Sequence, residues 1–493
     1  MLDGVLAALA PAALAFGVVG VVVGIVFGAI PGLTATLAIA LFVPVTFAME
    51  PANGLIMLGG IYAGAIFGGS ISAVLINVPG TPASIITGWE GHAMARQGQA
   101  PYALGLAAVS SGVGGLVSAL VMLFLAPVVA RLALTFGPAE FVALLVFSLV
   151  VVVVMLETPL ARNLAGCAIG LALGTIGLDP VNGVPRFTFG VADLASGLNL
   201  VAVLIGFFCM TQALVLAREA AQGARRVELA FGGVRGAWRV LATVVSHFRT
   251  YLRACSVGLF LGVMPAIGPE STPFVAHAVE KRFSREPERF GRGSPAGLLA
   301  AEASVSANVG GSLIPLLSLG IPGSGAAAMF IGALTLHGLR PGPLLFTERG
   351  DVVYAFLGGF VVANLAMMLI GLFAIRYFAV ALLVPKGVIA SFVALFSLFG
   401  AYAVNNSLFD VGVMFAAAAL ALALRAVSIP ILPVVLALIL GGLLEENLVV
   451  FAITVPTLEA LLARPIAVAL FAVTALILAL TVWRRVPGHP RFG

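Results

Sequence analysis

Apolar positions along the chain form long continuous runs rather than short alternating stretches. Because a helix needs about 20 mostly apolar residues to cross a bilayer, these runs predict membrane-spanning helices. Some runs are interrupted, so we predict an all-α polytopic membrane protein with roughly 10–13 membrane segments. The runs lie near residues 12–30, 55–78, 103–130, 141–156, 163–178, 198–217, 254–267, 297–320, 352–380, 387–404, 411–427, 430–444 and 465–483.

The composition excludes the soluble classes of protein. Of the 493 residues, 61% are hydrophobic and only 9% are charged. An ordinary soluble domain carries about 25% charged residues, and so few charges could not cover a globule in water. A soluble enzyme, a nucleic-acid binder and a disordered scaffold are therefore excluded.

Arginine placement predicts the topology. Residues 218–253 contain seven arginines and two glutamates, a net charge of +5 that equals the formal charge of the whole chain. The positive-inside rule predicts that this loop and the basic tail 484–493 are cytoplasmic. The loop separates a first transmembrane half, residues 1–217, from a second, residues 254–483, which the tail follows. Such a loop can also bind anionic lipid or a partner, although topology is the simpler interpretation.

An ordered set of motifs occurs once in each half. Residues 28–32 read Gly-Ala-Ile-Pro-Gly and residues 262–266 read Gly-Val-Met-Pro-Ala. A Gly-Gly-Ser follows at 68–70 and again at 310–312, and a Pro-Gly follows 11 and 12 residues later, at Pro79 and Pro322. Arg96 and Arg340 come 17 and 18 residues after these prolines. This order predicts an internal repeat, which we expect to be inverted.

Both Pro-Gly elements interrupt apolar segments. Proline removes a backbone donor and glycine frees the backbone, so a helix cannot continue through them. Non-helical backbone at membrane depth is tolerated only where protein buries it or where it lines a cavity. Paired interruptions in two halves point to a transporter binding site, although each could instead be a packed proline kink. The predicted substrate-binding residues are Asn77, Pro79, Gly80, Thr81, Pro82, Ser84, Pro322, Gly323, Ser324 and Gly325.

Glycines recur every four residues in the first half, at Gly20, Gly24, Gly28 and Gly32 and at Gly60, Gly64 and Gly68. Such stripes let two helices approach closely. They predict tight helix packing and name no ligand.

Isolated charges in the apolar runs are candidates for function. A buried carboxylate at Glu302 is costly unless it is paired, protonated or bound to a cation, so Glu302 is a candidate coupling-ion site or a structural partner. Glu270, Ser306 and Asn308 are further ion-coupling candidates. Arg96 and Arg340 could attract an anion or anchor helices at the interface. We expect Glu445 and Glu446 to mark a helix end.

Catalytic and nucleotide-binding motifs are missing from the sequence. It contains no phosphate-binding Gly-x-x-x-x-Gly-Lys loop, no His-Glu-x-x-His and no Gly-x-Ser-x-Gly. We therefore predict a non-enzyme with no catalytic residues, no metal site and no cofactor beyond a coupling ion, and with no ATPase or nucleic acid among its partners.

Several of these motifs together resemble the large membrane subunit of the bacterial tripartite tricarboxylate transporters, the TctA family. The matching runs are residues 28–34, 60–75, 77–82, 310–324, 338–343 and 444–447. The resemblance implies a multi-pass protein of the bacterial inner membrane that works with a small four-helix membrane subunit and a periplasmic solute-binding protein. It implies import of a small carboxylate, either a tricarboxylate such as citrate or a di- or monocarboxylate, driven by a sodium or proton gradient.

The chain departs from the family pattern at three places. Val305-Ser306 stands where the family usually has Asn-Asn, Pro265-Ala266 replaces a Pro-Gly, and Glu90-Gly91 replaces an Asp-Gly. The two departures in the second half bear on ion coordination or substrate choice. A passive anion channel and a membrane subunit that no longer transports remain the alternative functions.

Overall fold

The computed structural model describes residues 2–156, 158–179, 182–222, 237–265 and 267–485. The centre of the arginine-rich loop and the end of the basic tail lie outside these ranges. The predicted cytoplasmic location and domain boundaries of those segments therefore stay predictions.

The first half of the chain is almost entirely helical. A two-stranded antiparallel sheet, β1 (Gly177–Leu178) and β2 (Pro185–Arg186), follows α8. A π-helical turn at Ile205–Met210 joins α9 to α10 in one helix, Leu200–Ala221. The helices are α1 (Leu2–Ala7), α2 (Pro11–Ala29), α3 (Ala35–Thr46), α4 (Pro51–Ile76), α5 (Ile85–Thr87), α6 (Ala100–Ala133), α7 (Pro138–Met155), α8 (Leu160–Gly174), α9 (Leu200–Leu204) and α10 (Thr211–Ala221).

The described part of the second half is helical as well. Its helices are α11 (Ala237–Ser246), α12 (Phe248–Val263), α13 (Thr272–Phe283), α14 (Pro295–Leu319), α15 (Gly325–Leu336), α16 (Leu345–Glu348), α17 (Gly350–Phe373), α18 (Ile375–Phe378), α19 (Lys386–Asn405), α20 (Leu408–Ala426), α21 (Ile431–Thr454), α22 (Leu458–Leu462) and α23 (Pro465–Arg485).

Nine helices within the described ranges are long and apolar enough to cross a membrane. They are Pro11–Ala29, Pro51–Ile76, Ala95–Ala133, Pro138–Met155, Leu200–Ala221, Gly350–Phe373, Lys386–Asn405, Leu408–Ala426 and Ile431–Thr454. Shorter apolar helices, including α3, α8 and α15, complete the bundle. The chain is thus an all-α polytopic membrane protein, as predicted.

The glycine stripes hold α2 and α4 in backbone contact. A Cβ at Gly24 would lie 2.3 Å from the Ile61 carbonyl oxygen, and one at Gly64 would lie 2.4 Å from that of Val21. In the second half α12 packs on α14 in the same way, with Gly258 beside the Ser304 carbonyl. The predicted close packing is therefore confirmed in one half and repeated in the other.

The two equivalent helices α4 and α14 run in opposite directions past each other. Tyr62 contacts Ser312, whereas Ser70, further along α4, contacts Glu302, further back along α14. Equivalent helices that pack antiparallel belong to repeats related by an inverting two-fold axis. The structure therefore confirms an inverted repeat.

The halves also exchange outer helices. From the second half, α21 packs against α7 and α8, and from the first half the α9–α10 helix packs against α19 and α20. A Cβ at Gly170 would lie 2.1 Å from the Val434 carbonyl oxygen, and one at Gly206 would lie 2.3 Å from that of Met414. Each half therefore completes the packing of the other, and neither forms a separate core.

Glu445 lies inside α21, not at a helix end, so that prediction was wrong. The carboxylate accepts two hydrogen bonds from Arg186 of β2, one of them 3.1 Å long from Nη2. This hydrogen bond, with the nearby charges of Glu445 and Asp179, raises the pKa of the Arg186 guanidinium. The acid is accommodated within the helix because Arg186 of β2 pairs with it.

Candidate functional site

The second interrupted hairpin has a tip at residues 320–325, called tip 2 here. Gly320 ends α14 in the left-handed conformation at φ 75°, which glycine adopts without strain. Ser324 then caps α15 by accepting a hydrogen bond of 3.1 Å from the Ala327 N–H. Ser324 is buried, whereas Gly325 is half-buried at the first turn of α15.

The first interrupted hairpin has a tip at residues 77–84, called tip 1 here. Asn77 ends α4 in the left-handed conformation at φ 54°, and a 3₁₀ turn at Pro82–Ser84 leads into α5. The Gly80 N–H donates a hydrogen bond of 3.3 Å to the Gly69 carbonyl, which fastens the tip to α4. A Cβ at Gly80 would lie 2.0 Å from the carbonyl oxygen of Gly28.

When the two hairpins are compared in the structure, the residues that correspond differ by one position from those paired by the Gly-Gly-Ser motif. A Cβ at Gly80 would meet Gly69 Cα, while one at Gly323 would meet Ser312 Cα, so Gly69 corresponds to Ser312. The motif would pair Gly69 with Gly311, so the structural correspondence differs from the sequence match by one residue. Packing of each tip glycine on the neighbouring helix sets the register, which explains the unequal spacing of 11 and 12 residues.

A buried tyrosine joins tip 2 to the other repeat. Tyr62 of α4 is fully buried, and its hydroxyl lies 3.0 Å from Ser324 Oγ and 3.5 Å from Ser312 Oγ. Sequence analysis did not select Tyr62. The sequence did contain a sign of its role: Tyr62 lies among the glycines of residues 60–75, and a tyrosine buried in an apolar helix usually forms a hydrogen bond with a polar partner.

Tip 2 opens onto a cavity of about 370 Å³. Thr34 and Thr36 line it at the start of α3, and a Cβ at Gly325 would be 3.5 Å from Thr36 Oγ1. Gln212, Glu270 and Arg425 supply the other polar lining. The cavity also borders the π turn of the α9–α10 helix, and π turns are frequent at functional sites.

Groups that can bind an anion face this cavity. Thr34 caps α3 as Ser324 caps α15, so two helix N-termini meet beside it. Arg425 forms no salt bridge or side-chain hydrogen bond with any described residue, and the carboxylate of Glu270 is likewise unpaired by a described cation. Helix N-termini and an unpaired guanidinium form a site suited to an anion.

Glu302 is buried in a nest of hydroxyl groups. Its carboxylate accepts hydrogen bonds of 2.6 Å from Ser70 and Ser111 and a further one from Thr87. These donors come from α4, α5 and α6, so one α14 side chain ties four helices together. No described cationic side chain pairs with it.

Three other buried oxygens lack hydrogen-bond partners among the described residues: Thr81 Oγ1, Ser306 Oγ and Asn308 Oδ1. The Asn308 amide donates to Ile267 O at 3.0 Å and to Thr272 Oγ1 at 2.8 Å, which ties α14 to the start of α13. Buried polar atoms without partners are rare in native structures, so these oxygens are available to a ligand or an ion.

Glu90 connects the tip 1 hairpin to the loop before α14. Its fully buried carboxylate accepts hydrogen bonds from His277 Nε2 at 2.7 Å and from the backbone N–H groups of Gly291, Gly293 and Ser294. Sequence analysis noted Glu90 only as a departure from the family pattern. Its partners lie far away in sequence and could not be read from it.

The structure places the remaining predicted residues differently. Arg96 and Arg340 are exposed and outside the cavity at tip 2, whereas Arg425, which was not selected, lines it.

Asn77 and Pro82 are exposed at tip 1, and Pro79 is half-buried. Ser84 donates to the Thr81 carbonyl at 2.8 Å, and Pro322 and Gly323 are buried in tip 2. Within the described ranges no group of three or more histidine, cysteine or acidic residues could hold a metal.

An inverted repeat with two interrupted hairpins, one of which opens onto a polar cavity, is typical of a multi-pass membrane transport protein. The model of the tripartite tricarboxylate transporter TctA family matches residues 14–436. The chain belongs to this family. It is a membrane subunit of a tripartite transporter, a type of transporter that consists of several subunits.

Two curated relatives, both from Agrobacterium vitis, support the assignment. The chain is 34% identical over 444 residues to an uncharacterized 52.8 kDa protein in the TAR-I ttuC' 3' region, covering 90% of this chain and 87% of the relative. It is 32% identical over 191 residues to an uncharacterized protein in the TAR-II ttuC' 3' region, covering 39% and 79%. No solved structure matches the chain.

Proposed function

We propose that the chain is the large permease subunit of a binding-protein-dependent secondary transporter that imports small carboxylates. The observation that carries the proposal is the cavity at tip 2, where two helix N-termini meet an unpaired arginine. A periplasmic solute-binding protein delivers the substrate, and a small four-helix subunit accompanies the permease in the bacterial inner membrane. The substrate is a tricarboxylate such as citrate, or a di- or monocarboxylate.

In this proposal the substrate carboxylate binds at Arg425 and at the N-terminus of α15. A guanidinium binds a carboxylate through two parallel hydrogen bonds, and capped helix ends offer further N–H donors. The cavity volume of about 370 Å³ suits a small organic acid. The hydroxyls of Thr34 and Thr36 can donate to a second oxygen. Tip 1 provides the equivalent broken segment on the other repeat.

Ion coupling follows from the charge of the cavity. Glu270 lines the same cavity as Arg425, so an anionic substrate and this carboxylate repel each other unless a cation neutralises one of them. We therefore assign the coupling ion, sodium or a proton, to Glu270. The unpartnered oxygens of Thr81, Ser306 and Asn308 are not part of the cavity lining, and they offer oxygen ligands for a sodium ion bound separately from Glu270.

Glu302 is the competing candidate for coupling. Its three hydroxyl donors support a structural role, because they already stabilise the carboxylate without an ion. Glu270→Gln should abolish the dependence of uptake on the imposed gradient, whereas Glu302→Gln should preserve it. The reverse result would move the coupling site to Glu302.

Uptake by proteoliposomes tests the proposal. The permease and its small partner are reconstituted with and without the cognate solute-binding protein, under an imposed sodium or proton gradient. Labelled citrate and a panel of di- and monocarboxylates are supplied. We expect uptake only with the binding protein and with one of the gradients.

Arg425→Ala sharpens this test. Loss of a hydrogen-bonded ionic contact of about 1.5–3 kcal/mol raises the substrate concentration needed for half-maximal uptake about 10- to 150-fold. Arg376→Ala is the matched control, since Arg376 is exposed beside Tyr377 and is not part of the cavity lining. Flux that needs neither gradient nor binding protein would indicate a channel. Absence of flux for every acid would indicate a subunit that does not transport.

A further inference from the structure

An apolar groove lies between α6 and the α11–α12 pair, away from the cavity at tip 2. Its volume is about 440 Å³, and its lining is almost entirely apolar. The lining includes Val113 and Val117 of α6 and Val245, Phe248, Leu252 and Cys255 of α11 and α12. Neither tip contributes to it.

The groove has the length of one membrane leaflet. Tyr102 contacts Thr243 at 2.8 Å and Ser110 contacts Tyr251 at 2.8 Å, so the α11–α12 pair follows α6 in the same direction. The groove lining runs along this pair from Val244 to Cys255, eleven steps of the chain and a rise of about 17 Å. Half of a hydrocarbon core of about 30 Å is about 15 Å.

Two exposed arginines lie on the N-terminal side of the groove residues Leu252 and Cys255. The Arg239 guanidinium lies 4.4 Å from the ring centroid of Tyr102, and Arg249 is exposed in the first turn of α12. Neither arginine forms an ion pair with another described residue, whereas Arg253 is paired with Glu280 at 2.7 Å. A charged end above an apolar body complements an anionic phospholipid.

The outer face of α11 and of the first turn of α12 also fits a lipid surface. Trp238, Val245 and Phe248 are 78%, 70% and 68% exposed, although Val240 and Val244 of the same segment are buried against the protein. A short helix beside the start of α6 that carries an exposed tryptophan and an arginine is typical of the membrane interface.

We propose that this groove is a binding site for an anionic phospholipid. One acyl chain lies along Val113, Val117 and Leu252, the phosphate is held by Arg249, and Arg239 adds a second positive charge further toward the start of α11. The site is independent of the transported substrate. Because α6 also packs against α14, the bound lipid stabilises the face of the repeat that holds Glu302.

Native mass spectrometry of the full chain in detergent tests the proposal. Phosphatidylglycerol and phosphatidylcholine with identical acyl chains are added at equal concentrations, and bound adducts are counted. We expect preferential binding of one phosphatidylglycerol molecule. The double variant Arg239→Ala, Arg249→Ala should reduce that affinity about 10- to 30-fold while leaving the weak phosphatidylcholine binding unchanged.

Two further variants separate a built site from general surface charge. Val117→Trp fills the groove and should weaken both lipids, provided that size-exclusion chromatography shows a folded protein. Arg131→Ala, an exposed arginine at the other end of α6, is the matched control and should change neither affinity. Equal loss from Arg131→Ala and from the double variant would overturn the proposal, as would unchanged phosphatidylglycerol binding in the double variant.

Discussion

Replacing Gly80 by alanine should displace tip 1 from α2. The added Cβ would lie 2.0 Å from the Gly28 carbonyl oxygen, 2.7 Å from Ser72 Oγ and 2.8 Å from Gly69 Cα. Ordinary contact begins near 3.4 Å, so the tip must move by about 1.4 Å away from the Gly28 backbone. Two of the three opposing atoms belong to backbone, which cannot rotate away.

The expected cost follows from overpacking, which destabilises proteins by about 1–3 kcal/mol. Gly323→Ala is the matched variant in tip 2. Its Cβ would lie 2.6 Å from the Gly262 carbonyl oxygen and 3.0 Å from Ser312 Cα, so a shift of about 0.8 Å suffices. Gly412 in α20 has no atom within 4 Å of an added Cβ, and Gly412→Ala should gain up to about 1 kcal/mol from helix propensity.

Thermal midpoints of the detergent-solubilised chain, read by size-exclusion chromatography after heating, give the order of stability. We expect Gly80→Ala to be the least stable, then Gly323→Ala, then wild type and Gly412→Ala. Proteoliposome uptake should fall in the same order for the two tip variants. A wild-type midpoint for Gly80→Ala, or a larger loss for Gly323→Ala, would falsify the packing argument.

Three further substitutions test the buried polar contacts, each by the same thermal midpoint. Tyr62→Phe removes the hydroxyl that contacts Ser324, and should cost about 1 kcal/mol while α15 keeps its serine cap. Glu90→Gln should cost about 1–3 kcal/mol, because its carboxylate accepts from three backbone N–H groups and from His277, and backbone donors cannot become acceptors. Glu302→Gln should be milder, because the hydroxyls around it can turn and accept from the new amide. Equal losses for the two glutamine variants would contradict this distinction.

Several features of the site were predicted from sequence because they depend on local chemistry. Proline and glycine interrupt a helix wherever they occur, so both tips were predicted at the places where α4 and α14 end. The glycine stripe of residues 20–32 also predicted close packing, because side chains this small let two helix backbones touch. Ser324 and Thr81 were selected because they adjoin these breaks.

Other features depend on contacts between residues far apart in the chain. Arg425 was overlooked because it ends an ordinary apolar helix, and only the fold brings it to the cavity beside Gly325. Arg340 was selected by its spacing from a Pro-Gly, yet in the structure it is exposed and does not line the cavity. The three hydroxyls around Glu302 come from three helices, so their convergence has no local signal.

The sequence by itself determined the class of protein, the helical membrane architecture, the repeat and the family, because hydropathy and backbone breaks act over a few residues. Only the tertiary structure decided that the repeats run antiparallel, that they exchange outer helices, and which polar groups share a cavity. Those outcomes depend on helix packing across hundreds of residues, where small residues permit contact and a register shift of one residue changes every partner.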